Sequence, residues 1–143
     1  MIASIERLLA KGVIGSFAAE LGHRLARLVS AQGDWVAYGP VAVSESTSAG
    51  HVCIDLERAH DQITRDWKLD LPNLDMWRTA LRGSGVVARE GEYAPLVLDD
   101  ADRLYLLRYW RYEDSLAREW LARGAEDLVP LTSVDRVQAA LNR

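Results

Sequence analysis

Residues 103–113 read RLYLLRYWRYE, and the fold turns on what this run is: a base-stacking strand, a catalytic segment, or an inner strand passing into a helix. In an extended chain Leu104 and Leu106 face one side, and Tyr105 and Leu107 the other. A strand apolar on both faces is one sandwiched between layers. Arg103 and Arg108 can lay their stems along that packing and keep their charges in water. From Arg111 the period changes: Tyr112, Leu116 and Trp120 recur at four-residue steps, Leu121 widens the stripe and Gly124 closes it. RLYLLRYW therefore reads as the last inner strand, and RYE as the start of a helix.

Two strand-like runs precede it, VVARE (86–90) and PLVLDD (95–100), and the turns GEYA and DAD connect the three as an antiparallel meander. Further upstream, Asn73 is placed to cap a helix with Leu74, Trp77 and Leu81 inward, ended by GSG at 83–85. HVCIDL (51–56) reads as a short strand with Val52 and Ile54 on one face. Asp55 then caps a helix whose stripe is Leu56, Ala59, Ile63 and Trp67. Asp34 can cap a helix from Trp35, and Pro40 either kinks it or restarts it with Gly39 as cap. From 34 to 99 the order is helix, strand, helix, helix, strand, turn, strand, which is the element order of a winged helix.

Two helices lead into this unit. Ser4 can cap a short one carrying Ile5, Leu8 and Leu9 and stopped by Gly12. A longer one runs from about Ser16 with Phe17, Leu21, Leu25 and Leu28 as its apolar stripe and a surface Glu20–Arg24 pair. A last helix from Ser133 carries Val134, Val137 and Leu141. The expected class is α+β: an N-terminal helical bundle packed on a winged-helix-like unit with a small antiparallel β meander. The expected segments are 1–33, helical; 34–124, the winged-helix-like core with meander and following helix; and 125–143, a linker and helix.

The totals narrow the function. The chain has 143 residues and a net charge of −4, which disfavours a nucleic-acid binder because phosphate contacts need a concentrated positive face. No apolar run is long enough for a transmembrane helix, and Glu6 and Arg7 interrupt the stretch where a secretory signal would lie. The single cysteine, Cys53, fits a reducing compartment. The expected location is the cytoplasm, with no membrane contact.

Each chemical candidate has a plainer reading. Cys53, between Val52 and Ile54, reads as a packed structural thiol rather than a nucleophile. His23, His51 and His60 form no zinc pattern, and His51 is expected to bond a loop carbonyl. GSG leads into a strand with no following lysine, so it is a turn and not a phosphate loop, and no Walker A sequence is present. Asp99, Asp100 and Asp102 lack the spacing of a calcium loop and read as a solvated hairpin turn. Trp67, Trp77, Trp110 and Trp120 read as core, whereas Trp35 beside Tyr38 suits core or interface equally. In the winged-helix frame the groove-entering helix would be NLDMWRTALR and the wing REGEYA; Asp75, Glu90 and Glu92 suit neither to DNA.

GHVCIDL (50–56), LRGSGVVARE (81–90) and PLVLDDADRLYLLRYWRYEDSLA (95–117), in this order and spacing, resemble the N-terminal region of RecD, the alpha subunit of bacterial exodeoxyribonuclease V. The likeness is clearest from 50 to 121; the first 45 residues match only in helical pattern. The resemblance implies a subunit with ATP-dependent 5′-to-3′ DNA helicase activity within RecBCD, acting in double-strand-break repair and recombination. It places that activity, with its ATP and magnesium, in RecA-like motor domains not found before Arg143, so the chain reads as a fragment with no cofactor and no catalytic residue of its own. For this region it implies docking onto the RecC subunit, with RecB in the same complex, and DNA as a ligand of the whole complex. The candidate partner-binding residues are Trp35, Tyr38, Arg24 and Arg27. The alternative is a winged-helix DNA-binding module. A free-standing enzyme is set aside because no base and nucleophile pair up.

Overall fold

The computed structural model describes residues 2–29, 35–88 and 92–126. Among them run six α-helices and a four-stranded sheet, so the α+β class holds. Helix α3, Trp35–Ser48, is the centre of the core: every residue from Val36 to Ser44 is buried. A helix apolar on all sides has no face to offer water and is covered all round. Pro40 sits inside α3, which neither stops nor restarts there. The proline leaves the Val36 carbonyl without its intrahelical donor, a loss the surrounding packing outweighs. Asp34, the expected cap, lies outside the described residues.

Helix α1, Ile2–Ala10, contains Ser4 rather than being capped by it. It ends as expected at Gly12, whose φ of +70° is left-handed. Gly12 N–H bonds Leu9 O at 3.0 Å and Val13 N–H bonds Leu8 O at 2.9 Å, the two bonds of a Schellman end.

Helix α2, Ser16–Leu28, corrects the sequence reading. Its buried residues are Ala18, Ala19, Gly22, Leu25 and Ala26. Phe17 and Leu28 are 67% and 69% exposed, and Leu21 is half-buried. The reason is close approach: a Cβ on Gly22 would lie 2.6 Å from Val41 Cγ2 and 3.0 Å from Ile5 Cδ1. At Gly22 α2 and α3 approach too closely for a side chain, and of the expected stripe Leu25 is buried while Phe17 and Leu28 turn outward.

Asp55 and Asn73 cap as expected. The Asp55 carboxylate accepts from Glu57 N–H at 3.0 Å and Arg58 N–H at 3.3 Å, opening α4, Leu56–Asp61. Asn73 Oδ1 accepts from Met76 N–H at 2.9 Å and opens α5, Leu74–Arg82. A π-helical turn, Gln62–Asp66, extends α4, and Leu56, Ala59, Ile63 and Trp67 are all buried along this path. Trp77 and Leu81 of α5 have no exposed surface.

The strands are β1, Ile54–Asp55; β2, Val87–Ala88; β3, Leu96–Leu98; and β4, Arg103–Leu106, in the order β1-β4-β3-β2. β4 pairs antiparallel with both β1 and β3, with Ile54 opposite Leu104 and Val97 opposite Tyr105. β2 runs parallel to β3, so the meander is antiparallel only in part. Val52 lies outside β1 and is exposed, against the longer strand expected there.

β4 is shorter than RLYLLRYW. Leu107 N–H bonds Pro95 O at 2.9 Å, but Pro95 has no N–H to return, so the ladder ends. Helix α6, Leu107–Glu126, takes over at once. Leu104 and Tyr105 are buried as a sandwiched strand requires, while Leu106 and Leu107 are half-buried.

Residues 1–110 form one compact unit and 111–143 a second. In the second, Tyr112, Leu116, Trp120 and Leu121 of α6 are exposed, so Trp120 is not core as expected; α6 also continues past Gly124. Trp110 is half-buried. The helix expected from Ser133 lies outside the described residues. Among those described, no helix is long and apolar enough to cross a membrane.

Candidate partner-docking surface

The polar side chains of the first unit are largely engaged in holding the fold. Asp99 is buried, and its Oδ1 accepts from Ala101 N–H at 3.0 Å and Arg103 N–H at 2.9 Å. Its Oδ2 accepts from Arg103 Nε at 2.8 Å, which holds the Arg103 guanidinium above its ordinary pKa. Asp102, with φ +59°, takes Arg78 bidentately: Nε to Oδ1 at 2.8 Å and Nη2 to Oδ2 at 2.6 Å. Asp75 accepts the third bond, from Nη1, at 2.6 Å. The hydrogen bonds to Asp102 and then Asp75 push Arg78 well above the usual guanidinium range. The solvated-turn reading is therefore wrong for Asp99 and Asp102, which lock the β3–β4 turn and tie it to α5. Arg82 Nη2 donates to Asp99 O at 3.3 Å, so both arginines of α5 are drawn into the fold.

Cys53 lies just before β1 and is half-buried, not packed inside a strand. It lines a cleft of about 340 Å³ with Glu45, His51, Asp55 and Arg58. Two of these are already used: Glu45 Oε1 accepts from Gly15 N–H at 2.7 Å, and Asp55 caps α4. The His51 backbone N–H bonds Ser46 O at 3.0 Å, and His60 Nε2 lies 2.7 Å from Pro72 O. Among the described residues, no three His, Cys, Asp or Glu side chains gather in a way that could hold a metal.

The four residues expected to meet a partner do not form one site. Trp35 opens α3 and is 37% exposed; its carbonyl accepts from Trp77 Nε1 at 2.9 Å, which pins the start of α3 to α5. Tyr38 is buried, with only an edge on the cleft of about 330 Å³ that it lines with Trp35, Arg7 and Lys68. Arg24 and Arg27 are on the exposed side of α2, and neither lines that cleft. Arg24 Nε pairs with Glu20 Oε1 at 2.7 Å, as the spacing predicts, and this bond lowers the Glu20 pKa.

The exposed side of the first two helices is also an expected docking surface, and what the sequence does not reveal is that the large apolar residues beside Arg24 stand on it. Phe17 and Leu28 point outward with half-buried Leu21 between them in register. Phe17 also walls a largely apolar groove of about 350 Å³ whose other sides are Thr47, Leu106 and Tyr109. The signal was present in the small residues Ala18, Ala19, Gly22 and Ala26, which mark a second, flatter face on α2.

A family model described as RecBCD enzyme subunit RecD, N-terminal domain, matches residues 10–105. No curated protein matches the chain significantly. The matched span takes in most of the first unit, including α2, α3, the strands β1 to β3 and all of β4 but its last residue. The chain belongs to the RecD N-terminal domain family.

Proposed function

We propose that this member of the RecD family is a non-catalytic adaptor that docks a RecD subunit onto RecC within RecBCD, in the cytoplasm and in the service of double-strand-break repair. The observation that carries this reading is the outward stripe of α2. Phe17 and Leu28, 67% and 69% exposed, stand on a helix whose other face, Ala18, Ala19, Gly22, Leu25 and Ala26, is buried. Apolar side chains in register on one exposed helix face form a patch of the kind that partners cover, and fully desolvated anchors carry most of the energy of such contacts. Covering such a side chain contributes about 1.5–3 kcal/mol. Arg24 and Arg27 would form the polar rim of the contact.

In this reading ATP-dependent 5′-to-3′ unwinding belongs to motor domains outside the chain, together with their ATP and magnesium. The winged-helix DNA-binding alternative has less support. Arg78 and Arg82, the cations of the helix that would enter a groove, are engaged with Asp75, Asp102 and the Asp99 carbonyl. Deleting residues 1–121 from the RecD subunit and purifying it with RecC and RecB tests the adaptor reading. The expected result is loss of RecD from the complex; normal incorporation would overturn it.

A further inference from the structure

The chain has two lysines, Lys11 and Lys68, and both line one cleft. Arg7, a turn before Lys11 on α1, lines it too. The cleft has a volume of about 310 Å³ and shares Arg7, Lys68 and Leu69 with the neighbouring cleft of about 330 Å³ walled by Trp35. All three cations are exposed. Elsewhere Arg24, Arg78, Arg103, Arg118 and Arg123 each hold a carboxylate, while exposed Arg27, Arg58 and Arg65 hold none but line neither of these two clefts. Among the described residues, Arg7, Lys11 and Lys68 hold none. Lys68 moreover occupies a left-handed backbone, φ +53°, where glycine would sit without strain. The chain places a cation there instead.

Unpaired cations gathered on a chain of net charge −4 call for an anionic ligand. Two features distinguish between anions. Asp66 and Asp70 also line the two clefts and interrupt the positive track. A nucleic-acid backbone carries a charge at every step and would meet those carboxylates; a peptide can place its carboxylates one at a time. The net negative charge also repels a polyanion at long range. The exposed edge of Trp35 and half-buried Leu69 supply an apolar wall beside the cations.

We propose that this cleft receives an acidic segment of a protein partner, with Asp or Glu carboxylates seated among Arg7, Lys11 and Lys68 and an apolar side chain against Trp35 and Leu69. The inference rests on the adaptor reading only in taking the partner to be a protein. The contact is electrostatic and lies at the surface, so it weakens as salt rises.

The probe is a fluorescein-labelled, glutamate-rich peptide with a central leucine, titrated with the full chain and compared with oligo-dT of equal charge. The wild type is expected to bind the peptide and to lose affinity with salt. Lys11→Glu/Lys68→Glu is expected to weaken binding at least about tenfold, and Lys11→Arg/Lys68→Arg to retain it. Lys68→Gly relieves the backbone yet removes a cation, so weaker binding by this well-folded variant supports the site. No peptide binding by the wild type, or equal binding by the charge-reversed variant, overturns the proposal. So does oligo-dT binding that the charge reversal abolishes. The adaptor reading fails by a different signal, the absence of RecC capture by the wild type, whatever the peptide shows.

Discussion

Lys68 and Asp99 show how much local structure rests on single residues. Lys68 follows the π-helical turn, where Trp67 N–H bonds Gln62 O at 3.0 Å and Leu69 N–H bonds Ile63 O at 3.1 Å. These bonds force the backbone between them into its left-handed conformation, which costs an L-residue about 1–2 kcal/mol. Glycine removes that cost but gains freedom in the unfolded chain. Lys68→Gly is therefore expected to raise stability by about 0.5–1 kcal/mol on these two terms, read by urea denaturation. Asp99 acts in the opposite sense. Asp99→Ala deprives the N–H groups of Ala101 and Arg103 of their acceptor and frees the Arg103 guanidinium. A loss of about 2 kcal/mol is expected by the same measurement, because three hydrogen bonds to one buried carboxylate are lost together.

The α2–α3 contact decides which side chains face outward. Gly22→Val would drive methyl groups into Val41 and Ile5, whose atoms already lie 2.6 and 3.0 Å from a Cβ at this position. Overpacking of this kind is expected to lower stability by about 2–3 kcal/mol, which thermal unfolding would detect. The same contact explains what could and could not be read from sequence. Caps were legible because the Asp55 and Asn73 carboxylate and amide act on backbone two or three residues away. The stripe Leu56, Ala59, Ile63, Trp67 was legible because its partners fill that whole face. The stripe Phe17, Leu21, Leu25, Leu28 obeys the same period, yet Leu25 is buried, Leu21 is half-buried and Phe17 and Leu28 face outward, since periodicity identifies an apolar face and not what covers it. Strand direction was hidden as well: short-range residue preferences identify strands but do not encode whether β2 and β3 pair parallel or antiparallel. Of the expected partner-binding residues, Trp35 and Tyr38 meet at one cleft because they are a turn apart on α3. Arg24 and Arg27 belong to a different helix face, a separation that only the tertiary packing reveals.

At the scale of the molecule, the described structure spends its polar groups on architecture and leaves apolar and cationic surface at its edges. Asp75, Asp99 and Asp102 fix the β3–β4 turn to α5, while Phe17 and Leu28 stand outside the core and Leu21 packs against it only in part. Such a division suits a rigid piece that is held by something else. Because Phe17 and Leu28 are exposed, changing them leaves the core alone and isolates the contact from the fold. The most direct measurement is the capture of RecC by the chain and by its Phe17→Asp/Leu28→Asp variant, after circular dichroism shows equal helical content. The adaptor account predicts capture by the wild type and at least about tenfold weaker capture by the variant, the least that losing two buried apolar anchors would cost. Equal capture by both, or none by the wild type, would contradict it.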